Sequence, residues 1–205
     1  MVVAGGFPVL SGVTWRVDEP SVSVLVGANG AGKTSLLRLL GGLSGLTTGR
    51  GEVLGIDLAH GDRRQLRRRV GWLGHEGAFY DDLSVRDNLV FAARALGRPT
   101  AEINPALERV GLRARASTTT RLLSAGQRRR LALAWLLVRR PALWLLDEPY
   151  ASLDAEGRRF LDALLVDVVA TGATVIVTSH DPLGDAALNA RTCAMAGGRM
   201  AERAA

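Results

Sequence analysis

Lysine is nearly absent from this chain: of its 26 lysines and arginines, only Lys33 is a lysine. Cysteine is down to one, Cys193, and aromatic residues make up 5% of the 205 residues. Each scarcity excludes something. A single cysteine rules out an internal disulfide and fits a reducing cytosol. Standing in the apolar run Thr192 to Ala196, it reads as a small core residue. So few aromatics leave no platform on which bases could stack. The net charge of +6 comes from arginine clusters at Arg63-Arg64, Arg67 to Arg69, Arg128 to Arg130, Arg139-Arg140 and Arg158-Arg159. These read as solvated helix surface, with an anionic membrane face as the natural basic-surface partner, and no nucleic-acid partner is expected. No uninterrupted apolar run approaches the ~20 residues that span a bilayer; Leu131 to Val138 is among the longest. The start, Met1 to Gly6, has neither the charged head nor the apolar core of a signal peptide. The expectation is a protein soluble by itself, one α/β domain with at most an inserted subdomain.

What is there begins at the solitary lysine. Gly27, Ala28, Asn29, Gly30, Ala31, Gly32, Lys33, Thr34 and Ser35 meet the phosphate-loop pattern of two glycines, a lysine and a hydroxyl residue. Lysine delivers a compact point charge on a thin stem, where arginine is a broad fork. A stem threading a glycine-walled turn toward β- and γ-phosphates suits the former. Ser21 to Val26 reads as a buried strand entering the loop, and Thr34 to Leu40 as the helix leaving it. In that order, backbone N–H groups and a helix N-terminus face one anion, and the Thr34 hydroxyl faces Mg²⁺. The chain binds a nucleoside triphosphate.

Downstream, Leu143 to Pro149 ends an apolar strand on two carboxylates. Beside a phosphate loop, Asp147 is placed to hold the Mg²⁺ shell, and Glu148 to orient or deprotonate an attacking water. The remaining pattern is organised around this pair. Short strands are expected at Pro8 to Leu10 and Val13 to Val17. A strand pair, Gly51 to Leu58 and Val70 to Leu73, flanks an arginine-rich helical turn. Leu83 to Val138 is helical, broken near Pro99 and around Ala114 to Thr120. Strand Ala142 to Leu146, helix Ala155 to Val169 and strand Ala173 to Thr178 follow. Thr192 to Ala201 reads as a hairpin turning at Gly197-Gly198. Alternating β and α units predict a mainly parallel sheet covered by helices, with the helical middle inserted.

Ser124 precedes the expected helix Arg128 to Val138. It reads either as an N-cap or as part of a helix N-terminus whose small residues face a phosphate. The segment Arg121 to Gln127, together with the phosphate loop, the Asp147-Glu148 strand end, Ala151 to Asp154, and Ser179-His180-Asp181, resembles the ATPase subunits of ABC transporters over essentially the whole chain. The resemblance implies a P-loop NTPase of RecA-like fold, α/β, with an antiparallel β subdomain. It implies a single ABC ATPase domain, 1–205, in which about 77–138 is a helical subdomain carrying the signature segment. Gly27 to Ser35 would wrap the phosphates of ATP, with Lys33, Glu148 and His180 as the catalytic residues. Ser124, Ala125, Gly126 and Gln127 would meet the nucleotide of a second ATPase subunit, and Asp154 would link the two sites. Mg²⁺ would be held by Thr34, Asp147 and His75.

Three departures from the family pattern stand out. Ala125 replaces a signature glycine. Gly74-His75-Glu76 stands where the family carries a Mg²⁺-sensing glutamine, leaving either His75 or Glu76 to that place. Phe7 is the candidate to stack on adenine, while Trp15 is assigned to the core. Within the family, the chain length and the stretches Tyr80 to Leu89 and Leu123 to Trp135 resemble the ATP-binding subunit of the haem exporter of bacterial cytochrome c maturation. That resemblance implies a peripheral protein on the cytoplasmic face of a bacterial membrane, an integral-membrane permease partner and a dimer closed by ATP. Another small exporter, for a drug, lipid or antibiotic, and a soluble non-transport ABC ATPase are the alternatives.

Overall fold

The computed structural model describes residues 1–4, 7–74, 79–151, 153–180 and 188–201, with the side chains of residues 3, 4, 7 and 8 outside that description. In chain order the strands and helices begin with β1 (Val2–Ala4), β2 (Phe7–Leu10), β3 (Val22–Val26), α1 (Lys33–Leu40), β4 (Glu52–Val53), β5 (Ile56–Asp57), α2 (Arg63–Arg69) and β6 (Val70–Leu73). There follow α3 (Val85–Ala95), α4 (Ile103–Arg109), α5 (Ala125–Arg139), β7 (Leu143–Leu146), α6 (Ala155–Ala170), β8 (Thr174–Ser179), β9 (Arg191–Ala196) and β10 (Arg199–Met200). The chain divides into two compact units, Met1–Trp72 with Ala142–Ala205, and Leu73–Pro141. No helix among the described residues is long and apolar enough to cross a membrane.

The first unit is built on a six-stranded sheet in the order β10-β9-β3-β8-β7-β6. β3 pairs in parallel with both β8 and β9, and β7 in parallel with β8, while β10 returns antiparallel to β9. Val24, Leu25, Leu145, Leu146, Val175 and Val177 are all fully buried. Runs buried on both faces are what helices on a parallel sheet require. α1 sends Leu36, Leu37 and Leu39 into that core. α6 is capped by Asp154, whose carboxylate accepts from the Gly157 N–H at 2.7 Å. It buries Leu161, Leu164, Leu165 and Val168, the three-and-four spacing of one helix face. Two small antiparallel pairs, β1 with β2 and β4 with β5, complete the unit. Cys193, half-buried on β9, packs against the core as expected.

The second unit packs α3 and α4 against α5. Asn88 on α3 is fully buried, and its amide is tied to the Tyr80 backbone N–H and carbonyl, the Ser84 carbonyl and the Thr120 hydroxyl. A buried amide with every group bonded fixes the loop before α3 against the turn at Thr120.

Three local expectations are corrected. Val13 to Val17 is no strand: Val13, Trp15 and Val17 turn toward the core while Thr14 and Arg16 face water, but no ladder partner pairs with them among the described residues. The alternation is real, and the hydrogen-bonded neighbour is missing. Gly51 to Leu58 is not one strand but the hairpin β4–β5, turning at Leu54 and Gly55 with φ of 52° and 78°, the double left-handed turn that suits such hairpins. Val70–Leu73 does not pair with it and instead ends the main sheet. α5 begins at Ala125, three residues before the expected Arg128, so the segment around Gly126 is the first helical turn itself.

Candidate nucleotide site

Val26 delivers the chain from β3 into the loop, and the loop cannot form without glycine. A Cβ on Gly27 would stand 2.2 Å from the Met195 carbonyl oxygen on β9. Gly32 caps α1 at φ 102°, a left-handed conformation that costs other residues dearly. The β9–β10 turn props the loop from outside: the Gly198 N–H donates to the Ala31 carbonyl, and the Ser11 N–H to the Gly198 carbonyl, both at 2.9 Å.

Lys33 opens α1 and is only 6% exposed. Its ammonium folds back onto the loop, donating to the Gly27 and Ala28 carbonyls. It also lies 3.3 Å from Glu148 Oε1. His180 Nε2 stands 3.6 Å from that same oxygen. The three residues nominated for chemistry thus meet at one carboxylate.

Next to them, Thr34 Oγ1 donates to Asp147 Oδ2 at 2.9 Å. The other carboxylate oxygen of Asp147 accepts from the Thr178 hydroxyl at 2.7 Å. Thr178 in turn accepts from the Glu148 N–H at 2.8 Å. Glu148 needs that anchor, since its φ is 48°, unusual for a residue with a side chain. A following Pro149 further disfavours the right-handed helical alternative. Thr178 escaped the sequence reading. The available signal was a hydroxyl two residues before His180, at the polar end of an apolar strand, where alternation turns both side chains the same way.

A hydroxyl and a carboxylate oxygen at 2.9 Å are hard oxygen donors, the kind Mg²⁺ selects. The donor chemistry of Thr34 and Asp147 therefore fits that ion. His75 and Glu76 lie outside the described residues, as do Ser152 and Asp181. Phe7 begins β2, and its side chain lies outside the description. Asp154 serves the α6 N-terminus. Trp15 packs against the core, as expected.

In the second unit, Ser124 caps α5 with its side chain accepting from the Gln127 N–H, while the Gln127 amide oxygen accepts from the Ser124 N–H at 3.0 Å. This reciprocal box satisfies two of the donors that a helix start leaves open. Ala125 and Gly126 are exposed in the first turn, and a Cβ on Gly126 would touch nothing within 4 Å.

A glycine loop between β3 and α1, with a lysine inside it and a hydroxyl–carboxylate pair across the sheet tips, defines a P-loop nucleotide-binding protein. The ABC transporter family profile matches residues 10–151. The chain is 41% identical over 194 residues, 95% of each chain, to "Cytochrome c biogenesis ATP-binding export protein CcmA" of Rhodopseudomonas palustris (strain BisB5). It is 42% identical to the protein of the same name from Xanthomonas campestris pv. campestris (strain 8004), over 84% of this chain and 80% of the relative. Among solved structures, cbiO1 from Clostridium perfringens, part of the ABC transporter complex cbiONQ, superposes with a TM-score of 0.82 at 27% identity, covering 95% of this chain and 80% of that one. A dimeric ATP-binding cassette in a post-hydrolysis state with ADP and Pi shares the fold, with a TM-score of 0.84 at 23% identity over 95% of this chain and 89% of that one. The chain belongs to the ABC transporter family, and it is an ATP-binding, ATP-hydrolysing transporter subunit.

Proposed function

We propose that this ATPase powers the exporter of a bacterial cytochrome c maturation system, the haem exporter in its common description, from the cytoplasmic face of the membrane. The whole of 1–205 acts as one ABC ATPase domain, with about 77–138 as its helical subdomain. It works with an integral-membrane permease and with a second ATPase subunit. The support for the system is the shared printed name of relatives about as long as this chain. The support for the chemistry is one observation: Lys33 and His180 both approach Glu148 Oε1, at 3.3 and 3.6 Å.

From that geometry the roles follow. The Lys33 ammonium exchanges its carbonyl partners for β- and γ-phosphate oxygens, and Gly27 to Ser35 enclose them. Thr34 and Asp147 would hold Mg²⁺, which would supply charge neutralisation at the phosphates. His75 or Glu76 would take the ion-sensing place. The Glu148 carboxylate orients the attacking water and accepts its proton as the oxygen bonds to the γ-phosphorus. The bond to the β–γ bridging oxygen breaks, yielding ADP and phosphate. His180, half-exposed beside Glu148, reaches the γ-phosphate. Phe7 stacks on adenine. Ser124, Ala125, Gly126 and Gln127 meet the nucleotide bound by the second subunit, and Asp154 joins the two sites.

The test is to tag the Glu148→Gln variant in its native cell, solubilise membranes with Mg-ATP and identify what co-purifies. A multi-span protein with cytochrome-maturation or haem-handling factors is expected. A permease from another export system would retire the haem reading and leave the ATPase.

A further inference from the structure

Five of the seven residues of α2, Arg63–Arg69, are arginine. Leu66 alone is buried, while Arg64, Arg67, Arg68 and Arg69 are exposed. The loop after α1 lies against this helix. A Cβ on Gly42 would stand 3.3 Å from Leu66 Cδ2, and one on Gly45 would stand 3.0 Å from an Arg63 guanidinium nitrogen. Arg67 donates to the Gly42 carbonyl at 3.0 Å. Between those two glycines Leu43 is 51% exposed. Its N–H donates to the carbonyl of Arg38, itself exposed on the last turn of α1. Arg38, Leu43 and the α2 arginines therefore share one surface within the first unit.

That surface carries positive charge with little to answer it. Arg38, Arg63, Arg64, Arg68 and Arg69 form no ion pair among the described residues. Arg69 donates instead to the Leu54 carbonyl at 2.7 Å. The neighbouring carboxylates hold backbone N–H groups: Asp62 that of Arg64, and Asp57 those of Ala59 and His60. Elsewhere the chain does pair its guanidiniums, Arg128 with Asp81 at 2.8 Å and Arg140 with Glu102 at 2.6 Å. Within α2, Arg63 faces Arg67 and Arg64 faces Arg68 at a four-residue spacing, where like charges destabilise a helix. An anionic surface outside the protein turns that repulsion into attraction. Charges spread along a helix and a loop match a plane of headgroups better than one bound anion. An exposed leucine among them has no use for a phosphodiester backbone, but it suits the boundary between headgroups and acyl chains.

We infer that α2, with Arg38 and Leu43, binds the headgroups of an anionic phospholipid bilayer directly. Clusters of four to eight basic residues are of the size that recognises such membranes. The guanidinium forks take phosphate oxygens in pairs while their stems lie along the interface. This contact is weak and reversible by itself, a second anchor that goes beyond attachment through a permease.

The test is flotation of the purified full chain, with no permease present, on vesicles of phosphatidylcholine or of an equimolar mixture with phosphatidylglycerol. Binding to the mixed vesicles is expected at least about tenfold tighter, and raised salt should release it. The double change Arg64→Gln with Arg68→Gln should weaken it about tenfold or more, with ATP hydrolysis in solution unchanged. Leu43→Ser should weaken it about fivefold. Arg94→Gln with Arg98→Gln removes the same charge from exposed positions of the second unit and should change binding by less than about twofold. Unfolding transitions should match wild type throughout. The inference is overturned by no preference for the anionic vesicles, by binding that raised salt leaves intact, or by equal loss in the two double variants. Binding of a short DNA duplex that depends on Arg64 and Arg68, without binding of vesicles, would assign the surface to nucleic acid and overturn it too. Failure here leaves the permease reading standing, because co-purification with the Glu148→Gln variant tests that separately.

Discussion

Thr178 is fully buried at the end of β8, and its hydroxyl sits between the two carboxylate residues. It donates to Asp147 and accepts from the Glu148 N–H, so a single oxygen sets the orientation of the metal-side carboxylate and the backbone turn of the water-side one. Thr178→Val keeps the shape and removes both bonds. The cost in stability should be about 1–3 kcal/mol, the range for leaving buried polar groups unpaired. Because Glu148 is held at a positive φ by this contact, its carboxylate should lose its placement, and kcat should fall by roughly tenfold, about 1.4 kcal/mol of barrier. Nucleotide affinity should change less, since Lys33 and the N–H groups of the loop are untouched. Thermal unfolding and steady-state kinetics read the two effects, and Thr178→Ser should restore both. A kcat within a factor of two of wild type in Thr178→Val would remove the hydroxyl from the site's positioning.

At the scale of elements, α5 carries two claims on the same turn: a helix start that its own capping box satisfies, and a surface for a neighbouring nucleotide. One substitution separates them. Gly126 has open space around its would-be Cβ and no positive φ, so Gly126→Ala should stabilise the helix by roughly 0.5–1 kcal/mol, as alanine does over glycine. A signature surface packed against a phosphate has no room for that methyl, and ATP hydrolysis should drop about tenfold or more while the melting temperature holds or rises. Ser124→Ala, in contrast, should cost about 1 kcal/mol of stability. If Gly126→Ala hydrolyses ATP normally, the segment is a cap and nothing more. The β9–β10 hairpin makes the opposite case: at Gly198, with φ 75° and a would-be Cβ 2.3 Å from the Val9 carbonyl oxygen, there is no room at all. Gly198→Ala should therefore destabilise by more than about 1 kcal/mol and weaken nucleotide binding, because Gly198 holds the Ala31 carbonyl; denaturant unfolding and nucleotide titration check this. These elements mark what the sequence made legible. Gly32, Lys33 and Thr34 could be read because one local turn demands them, and the apolar run into Asp147 because its burial pattern is continuous. The prop at Gly198 and the hydroxyl of Thr178 could not, because the first acts on a residue more than a hundred and fifty positions away and the second on residues thirty or more positions away. Val13 to Val17 misled for a related reason, since alternation reports which way side chains face and not whether a neighbouring strand exists.

At the scale of the molecule, the phosphate loop and the α5 start belong to different compact units of the chain. The proposal that α5 serves the nucleotide of a second subunit makes assembly and hydrolysis a single equilibrium. A ligand that binds the dimer more tightly than the monomer shifts that equilibrium by mass action, and ATP, held in the dimer by contacts from both subunits, does so until it is cleaved. Glu148→Gln removes the carboxylate that accepts the water's proton and leaves Lys33, Thr34 and Asp147 in place. The variant should bind Mg-ATP, fail to turn it over, and accumulate as a dimer in gel filtration with light scattering, while wild type with ADP runs as a monomer. Adding Gly126→Ala to Glu148→Gln should return the species to monomer without loss of folded structure, and Lys33→Ala should remain monomeric at every nucleotide concentration for want of the phosphate contact. A Glu148→Gln protein that stays monomeric at saturating Mg-ATP, with a normal unfolding transition, would detach the α5 segment from any second nucleotide. A dimer that survives Gly126→Ala would place its interface elsewhere on the chain.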